Sequence, residues 1–155
     1  MKCLLLYVTY SGNTEEIAEY MESYLRDYGA DVTIVDVTNR LSVAEIDAYD
    51  IIFLGTFTWD YGAVPDELED FLANVPLTNK RVGVFGSGDT QFGGPSLYCK
   101  AVDTLVARYR SEWEGLKIEQ SPRGAQEQLI NSWLERVLES DAIINESKNV
   151  RATIS

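Results

Sequence analysis

The stretch Cys3-Leu4-Leu5-Leu6-Tyr7-Val8-Thr9-Tyr10-Ser11-Gly12-Asn13-Thr14 joins an apolar run to an amphipathic pattern that begins at Glu15. Six apolar residues followed by six small or polar ones, none of them charged, read as a buried strand passing into a helix. The junction has the chemistry of a phosphate cradle. Hydroxyls of Thr9, Ser11 and Thr14 can donate hydrogen bonds. Gly12 permits a sharp turn. The N–H groups and the positive dipole end of the following helix favour an anion. The lysine of a Walker loop and the spaced glycines of a dinucleotide fingerprint are both missing.

Working outward, the same alternation repeats. Strands are expected at 3–8, 32–35, 51–54, 82–85 and 116–118. Helices are expected at 14–28, 43–48, 66–73, 97–110 and 124–139. Ile17, Met21, Tyr24, Leu25 and Tyr28 form the inner stripe of the first helix, and Gly29 ends it. Ser42 caps the short second helix, and Pro65 opens the third. Ala101, Val102, Leu105 and Val106 face inward on the fourth. Leu129, Ile130, Trp133, Leu134, Val137 and Leu138 do so on the last. Residues 1–140 read as one domain, and 141–155 as a tail without strong periodicity. Five βα units predict an α/β fold: a parallel sheet with helices on both faces.

In such sheets ligands bind at the carboxyl ends of the strands. The loops after strands one, three and four should therefore converge. The second of them, Gly55-Thr56-Phe57-Thr58-Trp59-Asp60-Tyr61-Gly62-Ala63-Val64-Pro65, crowds aromatic residues into a connection. These either cover the sheet end or form a wall for a planar ligand, with Trp59 the best candidate. The third, Gly86-Ser87-Gly88-Asp89-Thr90-Gln91-Phe92-Gly93-Gly94-Pro95-Ser96, offers backbone N–H groups and a second wall at Phe92. A planar heterocycle with a terminal monophosphate fits all three loops.

Composition narrows the chemistry. The 155 residues carry a formal net charge of −12 and no histidine. Nucleic acid and anionic membranes are poor partners for such a surface, and the commonest general base and metal ligand is missing. Cys3 and Cys99 are far apart, consistent with a reduced, cytoplasmic setting. The N-terminal apolar run is too short for a signal peptide or a membrane span. Eight acids and no Lys or Arg lie between Arg40 and Lys80. They make either a solvated surface or a docking face for basic proteins.

The three loops, taken with Glu15-Glu16, Pro65-Asp66-Glu67 and Tyr98-Cys99-Lys100-Ala101-Val102-Asp103, resemble those of the flavodoxins, and of their short-chain members in particular. The resemblance covers residues 1 to about 140. It implies a doubly wound, three-layer sandwich with strand order 2-1-3-4-5. It also implies a one-electron carrier, not an enzyme, that binds FMN and works at low potential. Thr9, Ser11, Gly12, Asn13 and Thr14, with Tyr10 among them, would surround the phosphate. Trp59 would pack on the inner face of the isoalloxazine, beside Phe57, Asp60, Tyr61 and Gly62. Phe92, or alternatively Tyr98 or Leu97, would cover the outer face. Backbone groups of Thr56, Thr58, Ser87, Gly88 and Asp89 would meet the ribityl chain and pyrimidine edge. Basic redox proteins would dock on the acidic face near the flavin, and the chain would act as a monomer.

Two positions depart from the usual family pattern. Phe92 stands where Tyr is common. Asp60 stands where many relatives have Gly, and Asp adopts positive φ less readily. Three other readings share the topology. A ribonucleotide reductase activator of flavodoxin type would use the same cofactor. An NAD(P)H:quinone-type reductase would turn over NADPH without a partner. A phospho-acceptor receiver domain needs clustered acids after strand one, where this chain has Thr9-Tyr10-Ser11.

Overall fold

In the computed structural model, which describes residues 1–39, 46–59, 62–90 and 97–154, the chain forms one parallel sheet of order β2-β1-β3-β4-β5. The strands are β1 (Lys2–Tyr7), β2 (Asp31–Asp36), β3 (Ile51–Phe57), β4 (Val82–Gly88) and β5 (Leu116–Glu119). The helices are α1 (Asn13–Tyr28), α2 (Asp66–Asn74), α3 (Lys100–Tyr109) and α4 (Ala125–Ile154). The parallel sheet with helices on both faces expected from the alternation, and the strand order implied by the resemblance, are both observed.

The strands are apolar on both faces because both are covered. Successive side chains of β1 point to opposite sides. Cys3, Leu5 and Tyr7 join Ile17, Met21 and Leu25 of α1 and Trp133, Leu134 and Val137 of α4 in one core. Leu4, Leu6 and Val8 join Leu68 and Phe71 of α2 and Val102 and Leu105 of α3 in the other. Leu4, Leu5 and Leu6 are wholly buried, and each contributes about 1.5–3 kcal/mol by leaving water.

Several boundaries move from their expected places. β3 and β4 both continue beyond the apolar runs. Thr56 pairs with Gly86 and Phe57 with Ser87, so the first residues assigned to each loop are strand. Gly86 permits this close ladder. A Cβ there would meet Val102 Cγ2 at 2.4 Å and the Thr56 carbonyl oxygen at 2.7 Å. Helix α3 begins at Lys100, later than expected. Pro65 is the residue before α2, in an extended conformation (φ −57°, ψ 142°).

Tyr28 and Leu129, expected inside, are 57% and 53% exposed. Tyr28 lies in the last turn of α1, and Leu129 in the first turns of α4, where each stripe runs off the sheet. Of the helix expected near 43–48, the described part is a 3-10 turn over Ile46–Ala48, and Ser42 lies outside the described residues. The largest difference is α4, which runs through Ile154 where an aperiodic tail was expected. No Gly or Pro interrupts residues 125–155, so nothing in the chain stops the helix. Its midpoint is pinned to the start of β4, where Arg81 donates to Asp141 (2.6 Å) and to Glu112 (2.8 Å).

Gly86→Ala should cost about 1–3 kcal/mol, because one of the obstructing atoms is backbone and cannot turn away. Urea denaturation of the variant checks this, and an unchanged midpoint contradicts the packing described.

Candidate functional site

The carboxyl edge of the sheet carries the loops after β1, β3 and β4. The first is built by Gly12. Its φ of 94° places it in the left-handed region, and it caps α1 without a side chain. Thr9 Oγ1 accepts from the Gly12 N–H (3.0 Å), and the Gly12 carbonyl accepts from Glu16 N–H (3.0 Å). The first-turn N–H groups of α1 are therefore the orphan donors that every helix presents. Accepting one bond leaves the Thr9 hydroxyl proton free to donate. A Cβ at Gly12 would meet nothing within 4 Å, so the ground above it is open.

Thr14 and Ser87 are buried, and their hydroxyls lie 2.8 Å apart. One donates to the other, which leaves one proton for a ligand. This bond ties the cradle to β4 across 73 residues. The sequence placed Thr14 in the cradle and Ser87 on the next loop, and gave no sign that the two side chains meet.

The loop after β3 folds back on itself. Trp59 N–H donates to the Ala63 carbonyl (2.8 Å), and Gly62 N–H donates to the Trp59 carbonyl (3.1 Å). The left-handed residue described in this loop is Gly62, at φ 104°. The loop rests on the start of α3 in two ways. Thr58 Oγ1 accepts from Ala101 N–H (3.1 Å), supplying an acceptor to a helix whose own N-cap side chain makes no capping bond. Gly62 sits over the Lys100 stem, where a Cβ would meet Lys100 Cδ at 2.6 Å. Thr58 as a helix cap from another element was not legible in the sequence.

Trp59 is 47% exposed and Tyr10 80% exposed. Their ring centroids are 5.5 Å apart, and Phe57 lies 6.0 Å from Trp59 and 6.3 Å from Tyr10. Trp59 thus stands at the surface, as a ligand wall requires and a core residue does not.

The loop after β4 is fastened at its root. Gly88 carbonyl accepts from Gln120 N–H (2.7 Å), Asp89 accepts from Gln120 Nε2 (3.2 Å), and Thr90 N–H donates to Glu119 Oε1 (3.0 Å). Tyr98 is half-buried against the α2–α3 core, with its ring 3.0 Å from where a Cβ on Gly88 would be. Burial raises its phenol pKa. Burial likewise pushes the Cys99 thiol up to about 11. Asp60, Tyr61 and Phe92 lie outside the described residues, as do Gly93, Gly94, Pro95 and Ser96. The structure thus gathers Thr9 to Thr14, Thr56 to Trp59, Gly62 and Ser87 to Asp89 at one edge, and holds Tyr98 against the core beneath it.

A model of the Flavodoxin family matches residues 5–133. The chain belongs to the flavodoxin family. It is 36% identical to "Probable flavodoxin 2" of Bacillus subtilis (strain 168), over 84% of this chain and 90% of that one. It superposes on oxidised Flavodoxin 1 from Bacillus cereus with a TM-score of 0.76 at 30% identity, covering 88% of this chain and 97% of that one. For oxidised Flavodoxin 2 from the same organism the TM-score is 0.72 at 34% identity, covering 90% and 99%. Flavodoxins are electron-transfer flavoproteins, not enzymes, and FMN is the family's cofactor. The observed donors fit that group. Neutral hydroxyls and orphan N–H groups converge at an open helix N-terminus, next to an exposed indole. No helix among the described residues is long and apolar enough to cross a membrane.

Thr58→Val should lower stability by about 1–2 kcal/mol, since Ala101 N–H loses its acceptor. Thr58→Ser should restore most of it. Urea midpoints of the two variants check this, and equal midpoints for wild type and Thr58→Val contradict it.

Proposed function

We propose that this chain is a low-potential one-electron carrier whose FMN sits across the three loops and whose basic protein partners dock beside it. Bound FMN supplies the one-electron chemistry. The chain's residues bind it, orient it and set its electrical surroundings. The observation that carries the reading is the half-exposed Trp59 at the sheet's carboxyl edge, next to a cradle without cations.

In this reading the hydroxyls of Thr9, Ser11 and Thr14 and the first-turn N–H groups of Asn13 and Thr14 hold the phosphate, around the turn that Gly12 makes. Tyr10 sits within that loop. Trp59 provides the inner wall, in a loop shared with Phe57, Asp60, Tyr61 and Gly62. Phe92 provides the outer wall, a role to which the half-buried Tyr98 is less suited. Backbone groups of Thr56, Thr58, Ser87, Gly88 and Asp89 meet the rest of the ligand. Gln120 and Glu119 support the last of these by fixing Asp89 and Thr90.

The electrostatics favour a low potential. The cradle has no Lys or Arg. Asp66 and Glu67 in the first turn of α2 line a pocket together with Trp59. At an effective dielectric near 20, one like charge at ~8 Å disfavours added negative charge by about 2 kcal/mol. The indole excludes water on one side and strengthens that effect. The same acidity, summed to −12 over the chain, steers a positively charged partner to this edge. It keeps copies of the chain apart, in keeping with a monomer.

Purified protein supplied with FMN should be yellow, with the flavin's fluorescence quenched on binding. Trp59→Ala should loosen FMN and raise the potential of the second electron. A visible-absorbance redox titration reads both. A variant that keeps wild-type affinity and potential would assign Trp59 a purely structural part.

A further inference from the structure

On the α2 side of the cradle, Tyr10, Phe57, Trp59, Asp66 and Glu67 line a pocket of about 110 Å³. Sites for whole cofactors and drug-sized molecules run from about 300 Å³ upward, so this one suits the head group of a single side chain. Three of the lining residues carry rings, with centroids 5.5, 6.0 and 6.3 Å apart. The other two are acids of the first turn of α2.

The helix dipole favours acids in that turn, and the cofactor wall accounts for an exposed Trp59, but neither accounts for Tyr10, which is exposed and lines the same pocket. On the same helix Glu69 is held by Arg108. Asp66 and Glu67 have no cation among the described residues. The rings alone would suit any apolar group. Two acidic residues in the lining, without a cation partner among the described residues, penalise a neutral apolar group and reward one with an apolar stem and a cationic head. Aromatic faces attract such a head, and a planar guanidinium also stacks on them.

We propose that this pocket seats one cationic side chain of the redox partner, arginine in preference to lysine, against Trp59. The inference rests on the electron-carrier reading above, which supplies the basic protein partner. It adds a discrete receptor for one residue to a face otherwise defined by charge alone. A partner so anchored would have its register fixed at the aromatic wall.

The test uses the FMN-loaded protein and two capped tripeptides, Ac-Gly-Arg-Gly-NH2 and its citrulline counterpart, which keeps the shape and loses the charge. Chemical shifts of the Trp59 indole N–H are followed at low ionic strength. The arginine peptide should move that resonance, and the citrulline peptide should bind about fivefold more weakly or worse. Asp66→Asn with Glu67→Gln should weaken the arginine peptide similarly. Tyr10→Phe should retain binding, and Tyr10→Leu should lose it.

Equal binding of the two peptides would mean a merely apolar patch and overturn the proposal. So would an unmoved Trp59 resonance, or an arginine response indifferent to the two carboxylates. Flavin absorbance of each sample reports cofactor retention separately. Failure to take up FMN refutes the carrier reading, and failure of the peptides on yellow protein refutes only the pocket.

Discussion

The turn at Gly12 is the constraint on which the site depends. β1 lies between β2 and β3 in the sheet, so the chain leaves its end at the point where the strand order reverses. On one face α1 and α4 cover the sheet, and on the other α2 and α3 do. The diverging connections leave a crevice at that edge. To enter α1 directly from β1, the backbone takes φ 94° at Gly12. A side chain there would have room, since a Cβ meets nothing within 4 Å. The demand is therefore one of conformation and not of space. Because the cap has no side chain, the first-turn N–H groups remain available to an anion.

What surrounds that turn is anchored to the frame by bonds between distant parts of the chain. Thr14 reaches Ser87, Thr58 reaches Ala101, and Gln120 reaches Asp89. Each joins one loop to a neighbouring element, so the groups that meet a ligand are ordered before it arrives. Positions held in this way lose little entropy on binding. The charges follow a different logic. The cradle is neutral, and the first turn of α2 beside it is acidic.

Much of this was legible in the residues. The alternation of apolar runs and amphipathic stretches fixed the order of elements, and the carboxyl-edge rule collected the unusual loops at one place. What escaped were features decided by partners far along the chain. Gly55, Thr56 and Phe57, and likewise Gly86, Ser87 and Gly88, look like loop residues by composition. Parallel pairing of Thr56 with Gly86 and of Phe57 with Ser87 makes them strand. Tyr28 and Leu129 fit a helical stripe, yet the sheet does not extend beneath them. Helix α4 continues because the sequence after Asp141 contains no breaker, although its apolar period has faded. Thr58 capping α3 spans 43 residues, which no local pattern records.

The central claim is that the neutral loop from Thr9 to Thr14 binds a phosphate. Titrating the cofactor-free protein with FMN and with riboflavin, followed by flavin fluorescence, isolates it. The two ligands share the ring and the ribityl chain and differ only in the phosphate. Several charge-assisted hydrogen bonds at about 1.5–3 kcal/mol each predict that FMN binds at least ~100-fold more tightly than riboflavin. Comparable affinities would contradict the account.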